Sequence, residues 1–248
     1  FRSLQALSKS LLSAQAGQAL AAPLMLKTPQ PEATVPVRNP ADARDVVGHV
    51  AHASAADVAQ ALADADGFAP AWAATAPGER AAALERAADA LEQQRDALMG
   101  LLVREAGKTW ANAIAEVREA ADFLRFYAAQ VRAQFGNDTH APLGPVVCIS
   151  PWNFPLAIFT GQVAAALAAG NVVLAKPAEQ TPLVAHAAVR LLHEAGVPIA
   201  ALQLLPGDGA RVGAALVAHA RAQGVMFTGS TEVARLLQRQ LAGRLNAD

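Results

Sequence analysis

Residues 146–156 read VVCISPWNFPL, a short apolar run that ends in a turn with two prolines and two aromatic residues. The run has the length and the β-branched content of a buried strand, and a helical pattern begins at about Leu156. Further apolar runs at residues 172–175, 202–205 and 225–227 also lead through turns into amphipathic segments. This alternation predicts βαβ units with right-handed crossovers, and therefore an α/β fold built on an open parallel sheet.

The part of the chain that precedes this sheet reads as mostly helical. Leucines at helical spacing predict a helix over residues 3–22, and a proline-rich stretch then predicts an extended arm. Residues 45–50 read as a short strand, and helical patterns continue from there to about Phe135. We therefore expect three regions, which are an N-terminal helix and arm (1–40), a helical region (41–143) and the βαβ core (144–248).

Local signals predict where several of these helices begin and end. Ser54, with Asp57 three residues later, is typical of a capping box. Thr109 and Thr181 are expected to cap the helices that follow them, and Gly196 to end the second of these helices. These signals divide the chain into helices of ordinary length.

Composition narrows the class of protein. The chain has 248 residues, 53% of them hydrophobic, and a formal net charge of -1, which favours a globular protein with a real core. Lys and Arg are scattered, so we expect no nucleic-acid partner, and no run approaches the roughly 18 apolar residues that cross a membrane.

A single cysteine, Cys148, favours a reducing compartment, and we expect the cytoplasm. The chain starts without Met and stops after a helix-like run, so we expect it to be part of something longer.

The turns after the four apolar runs are the candidate binding site, because ligands of parallel sheets bind at the carboxyl ends of the strands. Gly229 and Ser230 open a helix, which suits a pyrophosphate but is equally typical of an ordinary N-cap. Residues 207–213 have GxGxxxG spacing instead of the dinucleotide fingerprint GxGxxG. Lys176 ends the second run, and Glu179 is the nearest acidic residue for ribose hydroxyls.

Two residues of the first run could carry chemistry. Asn153 lies between prolines and aromatic residues in a stiff turn, where its amide could donate to a developing oxyanion or bond to its own backbone. Cys148 lies inside the apolar run, so we expect a buried, inert thiol and not a nucleophile. The histidines lack metal-ligand spacing, and no metal site is predicted.

Taken together in this order and spacing, the motifs resemble the aldehyde dehydrogenase superfamily from about Val37 to the end. Upstream stretches agree with this resemblance: Asn39-Pro-Ala41, Trp72, Glu79-Arg80, Glu105-Ala-Gly-Lys108, Glu116-Val117 and Phe126-Tyr-Ala128. The resemblance implies a Rossmann-like sheet that binds NAD, preceded by a helical N-terminal region. Residues 148–162 and 232–240 are most similar to members that oxidise L-glutamate γ-semialdehyde, the open form of 1-pyrroline-5-carboxylate, to glutamate in proline catabolism.

The resemblance also implies roles for individual residues. The residues that would line the cofactor cleft or contact its ends are Ile149, Ser150, Pro151, Trp152, Lys176, Glu179, Gly209, Gly213, Ala214, Gly229, Ser230 and Val233. Among them, Lys176 and Glu179 would bind the adenosine ribose, and Ser230 would meet the pyrophosphate. Asn153 would form the side-chain half of an oxyanion hole. Gln162 stands where many relatives carry a lysine implicated in proton relay.

In this family a cysteine thiolate attacks the aldehyde and a glutamate activates water, and both residues are expected beyond Asp248. The chain by itself is therefore expected to be inactive. Two alternatives stay open: another semialdehyde dehydrogenase, and a non-catalytic module with the same fold. We expect a small aldehyde as substrate, a homo-oligomer as the assembly, and FAD only in a possible proline dehydrogenase part outside this chain.

Overall fold

The computed structural model of the chain describes residues 5, 19–27 and 33–244. The strands are β1 (Ala19–Ala21), β2 (Val35–Asn39), β3 (Asp42–Val50), β4 (Pro145–Ile149), β5 (Val172–Lys176), β6 (Leu202–Leu204) and β7 (Gly224–Phe227). The helices are α1 (Ala55–Ala74), α2 (Pro77–Gln93), α3 (Arg95–Ala106), α4 (Trp110–Gln134), α5 (Ala157–Ala168), α6 (Pro182–Glu194), α7 (Ala214–Ala218) and α8 (Thr231–Arg244). A π-helical turn, Gly209–Gly213, leads into α7.

The four strands predicted after residue 144 form one parallel sheet in the order β6-β5-β4-β7. The chain moves outward from β4 through β5 to β6 and then crosses back to place β7 on the other side of β4. With right-handed crossovers, α5 and α6 cover one face and α7 covers the other, where α1 also packs. The predicted α/β class and parallel sheet are confirmed, and the order reverses at β4, between β5 and β7.

A second, smaller sheet is built from the N-terminal part of the chain. Its order is β1-β3-β2, with β1 parallel and β2 antiparallel to β3. The prediction of one helix over residues 3–22 is wrong at its end, because residues 19–21 are strand β1. Local alanine content favours a helix there, but pairing with β3 outweighs it. Apart from Gln5, the earlier part of that predicted helix lies outside the described residues.

The helix boundaries follow the sequence signals with two exceptions. Ser54 and Asp57 form the predicted capping box, and Thr109 caps α4 by accepting from the backbone N–H of Asn112 at 3.3 Å. The helical pattern after Gly78 is interrupted at Gln94, which no sequence signal marked. Thr181 precedes α6 as predicted, but its buried hydroxyl has no hydrogen-bond partner among the described residues.

Helix α5 lies at the centre of the fold and is held at both ends by the N-terminal helices. At its C-terminus the Trp72 indole N–H donates to the Leu167 carbonyl oxygen at 3.2 Å, and Arg80 Nε donates to the Ala168 carbonyl oxygen at 3.0 Å. Nearly the whole helix is buried. It therefore has a fixed position under the sheet, which matters because the Asn153 turn leads into it. Within the described ranges, no helix is long and apolar enough to span a membrane.

Candidate functional site

The turns predicted as a binding site all lie at one edge of the parallel sheet. Ile149, the last residue of β4, pairs with Lys176 at the end of β5 and with Phe227 at the end of β7. Since these strands run in the same direction, the segments that leave them emerge side by side. The β4 turn lies between the other two, at the point where the strand order reverses, which is the usual position of a ligand crevice in such sheets.

The turn after β4 combines a buried beginning with an exposed tip. Ile149 and Ser150 are buried, Pro151 is half-buried, and Trp152 and Asn153 are exposed. Among the described residues, no partner bonds the Asn153 side chain, so its amide does not bond to its own backbone. Its donor groups are free for a ligand, which is the arrangement that an oxyanion donor needs.

A buried carboxylate holds this turn against the helical region. Glu116 is only 1% exposed, and its Oε2 accepts the backbone N–H groups of Leu156 and Ala157 at 3.1 and 3.2 Å. Lys108 Nζ lies 2.8 Å from Glu116 Oε1 and 4.2 Å from the centroid of the Phe154 ring. Glu116 thus caps the start of α5, and Lys108 ties that cap to the residue next to Asn153.

A sequence signal for Glu116 exists, although its role was not predicted. On α4 it lies in the apolar stripe, three residues after Ala113 and four before Ala120, both of which are buried. An acidic residue on a buried face needs a partner, because an isolated buried charge is costly. The stripe by itself, however, does not reveal which helix terminus the partner is.

The turn after β5 gathers charged groups around Lys176. Lys176 is 4% exposed, and its Nζ donates to the Pro177 carbonyl oxygen at 3.1 Å. Burial lowers the pKa of Lys176, and the negative charges of Glu179 and Asp208 oppose this effect. A Cβ at Gly213 would lie 3.7 Å from the Lys176 side chain, so the π-helical turn packs on the lysine stem. The exposed Glu179 therefore lies beside a buried cation.

The turns after β6 and β7 present exposed backbone. Gly209 is exposed, with open space where a Cβ would lie, and Ala214 is half-buried at the start of α7. At the start of α8, Ser230 Oγ accepts the backbone N–H of Val233 at 3.2 Å, and Gly229, Ser230 and Val233 are all exposed. No acceptor among the described residues reaches the N–H groups of Thr231 and Glu232. The positive end of α8 is therefore open to a ligand.

Cys148 lies in β4 and takes no part in these turns. It is 1% exposed, and burial raises the pKa of its thiol to about 12. A thiol with such a pKa carries almost no thiolate at neutral pH. The prediction that Cys148 is buried is confirmed, and the raised pKa agrees with an unreactive thiol.

The fold and the site identify the class of protein. Residues 27–247 match the model of the aldehyde dehydrogenase family, and the chain belongs to that family. Its relatives include the bifunctional protein PutA of Klebsiella aerogenes, 64% identical over 98% of this chain and 18% of that protein. The 1-pyrroline-5-carboxylate dehydrogenase of Anoxybacillus flavithermus is 44% identical over 79% of this chain and 40% of that protein. The chain thus spans less than half the length of either relative.

A solved structure supports the same assignment. The 1-pyrroline-5-carboxylate dehydrogenase from Thermus, crystallised with bound NAD, superposes with a TM-score of 0.90 and 33% identity. The superposition covers 96% of this chain and 49% of the Thermus chain. The backbone arrangement of a family member that binds NAD is therefore present over nearly all of this chain.

Proposed function

We propose that this chain forms the NAD-binding part of an aldehyde dehydrogenase that oxidises L-glutamate γ-semialdehyde to glutamate in proline catabolism. The observation that carries the proposal is the convergence of the four strand-end turns at the point where the strand order reverses. Relatives named PutA and 1-pyrroline-5-carboxylate dehydrogenase support the substrate. The cysteine nucleophile and the general base are expected in the part of those relatives that this chain does not span, so the chain alone is expected to be inactive.

The cleft fits the cofactor at its phosphate end. No acceptor among the described residues binds the first N–H groups of α8, which suits a pyrophosphate held by Gly229 and Ser230, and Glu232 places one negative charge in the same turn. Gly209, Ala214 and Val233 present small or apolar surfaces suited to the adenine, and the buried Gly213 packs beneath them on the Lys176 stem. Residues 149–152 would line the cleft on the other side. When bound, NAD supplies the hydride acceptor of the reaction.

The charges after β5 favour NAD over NADP. Glu179 would accept hydrogen bonds from the adenosine ribose, and Lys176 would donate to it. A 2′-phosphate in the same place would face the Glu179 carboxylate, and like charges at short range repel. The exposed position of Glu179 leaves it free to meet the ribose.

Asn153 is the residue of this chain that we place next to the reacting carbonyl. Its amide donates to the aldehyde oxygen as negative charge develops there. Glu116 and Lys108 are positioning residues in this scheme, because they hold the part of the turn that follows Asn153. The backbone that follows Asn153 is thus held in place before substrate arrives.

The test is a titration of the 248-residue chain with NAD, NADP and AMP by calorimetry. We expect AMP to bind, NAD to bind no more than modestly better, and NADP to bind more weakly than NAD. Absence of any heat with NAD and AMP would refute a cofactor site. The substrate is tested on the full-length dehydrogenase that carries this chain, where faster oxidation of succinate semialdehyde than of glutamate semialdehyde would refute the assignment.

We also propose a cytoplasmic homo-oligomer with a small aldehyde as substrate. Large apolar side chains are exposed on α4, among them Trp110 at 45% and Phe126 at 54%, and such surface is usually covered in an assembly. Light scattering that finds only monomers at micromolar concentration would contradict the oligomer. FAD has no place in this proposal except in a proline dehydrogenase part outside the chain.

A further inference from the structure

Gln162 on α5 connects the ends of two neighbouring strands. Its Nε2 donates to the carbonyl oxygen of Ile149, at the end of β4, at 3.3 Å. The same nitrogen donates to the hydroxyl of Thr228, directly after β7, at 3.0 Å. The Thr228 backbone N–H also donates to the Ile149 carbonyl oxygen, at 3.1 Å. The three residues form a closed set of hydrogen bonds across the point where the strand order reverses.

The orientation of the Gln162 amide follows from these partners. A carbonyl oxygen can only accept, so the side-chain nitrogen must face Ile149. Both N–H groups are then used, one at the end of β4 and one directly after β7, and Gln162 is 7% exposed. The backbone of Gln162 is fixed as well, because α5 is held at its N-terminus by Glu116 and at its C-terminus by Trp72 and Arg80.

This connection matters because β7 is the least supported strand of the sheet. Within residues 19–27 and 33–244 it is an edge strand that pairs with β4 alone, and all of its residues are half-buried. Beyond its last paired residue the chain enters the turn of Gly229 and Ser230. Movement of that turn relative to Ser150 would change the width of the cleft.

We propose that Gln162 is a positioning residue that fixes the distance between the β4 turn and the β7 turn and so sets the cofactor cleft. This inference rests on the proposed NAD site. The neutral amide takes the place of a lysine found in many relatives, and its two donors hold both strand ends without introducing a buried charge. Its role is geometric, and it takes no proton.

Gln203 provides a matched control. It is likewise buried, donates through Nε2 to a backbone carbonyl oxygen, that of Ala61, at 2.7 Å, and leaves its Oε1 without a partner among the described residues. It lies in β6 and contacts neither of the two turns that Gln162 connects. Gln162→Met and Gln203→Met therefore remove equivalent amides of similar size, one at the cleft and one away from it.

Two measurements test the inference in the 248-residue chain. By hydrogen exchange, Gln162→Met should speed exchange at residues 228–230 about tenfold, while Gln203→Met should leave that turn unchanged. By calorimetry, Gln162→Met should lower the affinity for NAD about tenfold. Adding Thr228→Val should lower that affinity little further, because both changes break the same connection. Gln203→Met should leave NAD affinity within about twofold of the wild type, whatever it does to stability.

The outcomes separate the inference from the proposed function. Unchanged exchange at residues 228–230 in Gln162→Met would overturn the inference, as would equal loss of NAD affinity in the Gln203→Met control. If the wild-type chain binds no NAD, the proposed function fails, and the exchange measurement still decides whether Gln162 holds the two turns together.

Discussion

The helix N-termini around the parallel sheet are of two kinds. Helices α5 and α6 begin against buried carboxyl groups from other helices: Glu116 accepts from Leu156 and Ala157, and Glu105 accepts the N–H groups of Leu183 and Val184 at 2.6 and 2.9 Å. In the part of the chain that the structure describes, the one side chain that bonds to the start of helix α8 is its own Ser230, and Glu232 lies in its first turn. All three follow strands of the same sheet, so topology alone does not separate them.

The difference shows which termini serve the fold and which can serve a ligand. A helix N-terminus attracts negative charge, but a terminus whose N–H groups already bind a protein carboxyl group cannot also hold a phosphate. At α5 and α6 the two carboxyl groups join the helical region to the sheet. At α8 the first N–H groups have no such partner among the described residues, and we propose that they bind the pyrophosphate of NAD.

The largest effect is expected from Glu116→Gln. The amide oxygen can keep the two backbone N–H groups, but the amide nitrogen then faces the Lys108 ammonium, which loses its carboxylate, so the free energy of unfolding should fall by about 3–5 kcal/mol. Urea unfolding measures this value. Glu119→Gln, an exposed neighbour on the same helix, should change stability by less than about 0.5 kcal/mol. Similar losses of stability in the two variants would show that Glu116 contributes no more than an exposed carboxylate. The distinction between occupied and open termini would then fail.

Glu105→Gln should change the pH dependence of stability. Burial raises the pKa of Glu105 from 4.5 to about 8, against the lowering effect of its two backbone donors. Between these values the unfolded chain has lost the proton that the folded chain keeps, so this group makes stability fall as pH rises from about 5 to about 8. Below pH 4.5 both states are protonated and its penalty vanishes.

The measurement is urea unfolding of both proteins at several pH values across that window. The wild type should lose up to a few kcal/mol relative to Glu105→Gln as pH rises, because the variant lacks the titrating group. Other carboxylates contribute equally to both curves. Parallel curves would show that burial does not control this carboxyl group.

Ser230 variants should separate capping from phosphate binding. Ser230→Ala removes the cap and should cost about 1 kcal/mol of stability, together with some NAD affinity. Ser230→Asp keeps a good cap but places a negative charge where the pyrophosphate should bind. We expect Ser230→Asp to keep a free energy of unfolding close to the wild-type value and to bind NAD much more weakly by calorimetry. Wild-type affinity for NAD in Ser230→Asp would show that the pyrophosphate does not bind at the start of α8.

The smallest effect on stability is expected from Glu179→Gln. The side chain is exposed, so the free energy of unfolding should change by less than about 0.5 kcal/mol. The ratio of NADP to NAD affinity should nevertheless rise by about tenfold, because the charge that faces a 2′-phosphate is removed. Glu119→Gln, with the same loss of charge on α4, serves as the control. An unchanged ratio would place the ribose elsewhere.

Much of the fold was predictable because it is encoded locally. Each strand of the parallel sheet is a short apolar run, and each turn after it contains residues with strong conformational preferences, as at residues 150–155. The capping box at Ser54 and the cap at Thr109 depend on residues three positions apart. Such signals need no knowledge of the rest of the molecule.

Three of the failures have one cause, which is that the deciding partner is distant in sequence. Residues 19–21 form a strand because β3 pairs with them. Thr181 precedes α6 but does not cap it by a side-chain hydrogen bond, because Glu105 of α3 reaches the N–H groups first. Gln162 looked like a departure from the family pattern, and its contacts with Ile149 and Thr228 became visible only in the assembled sheet.

The sequence by itself determined the α/β class and the four strand-end turns, because strand periodicity and turn chemistry act over a few neighbouring residues. The individual cleft residues follow from the family resemblance and stay a prediction. Only the tertiary structure decided which helix N-termini are occupied and which is open. That distinction depends on buried carboxylates about 40 residues or more away along the chain from the groups they bind. Long-range burial selects such partners, and no local pattern records them.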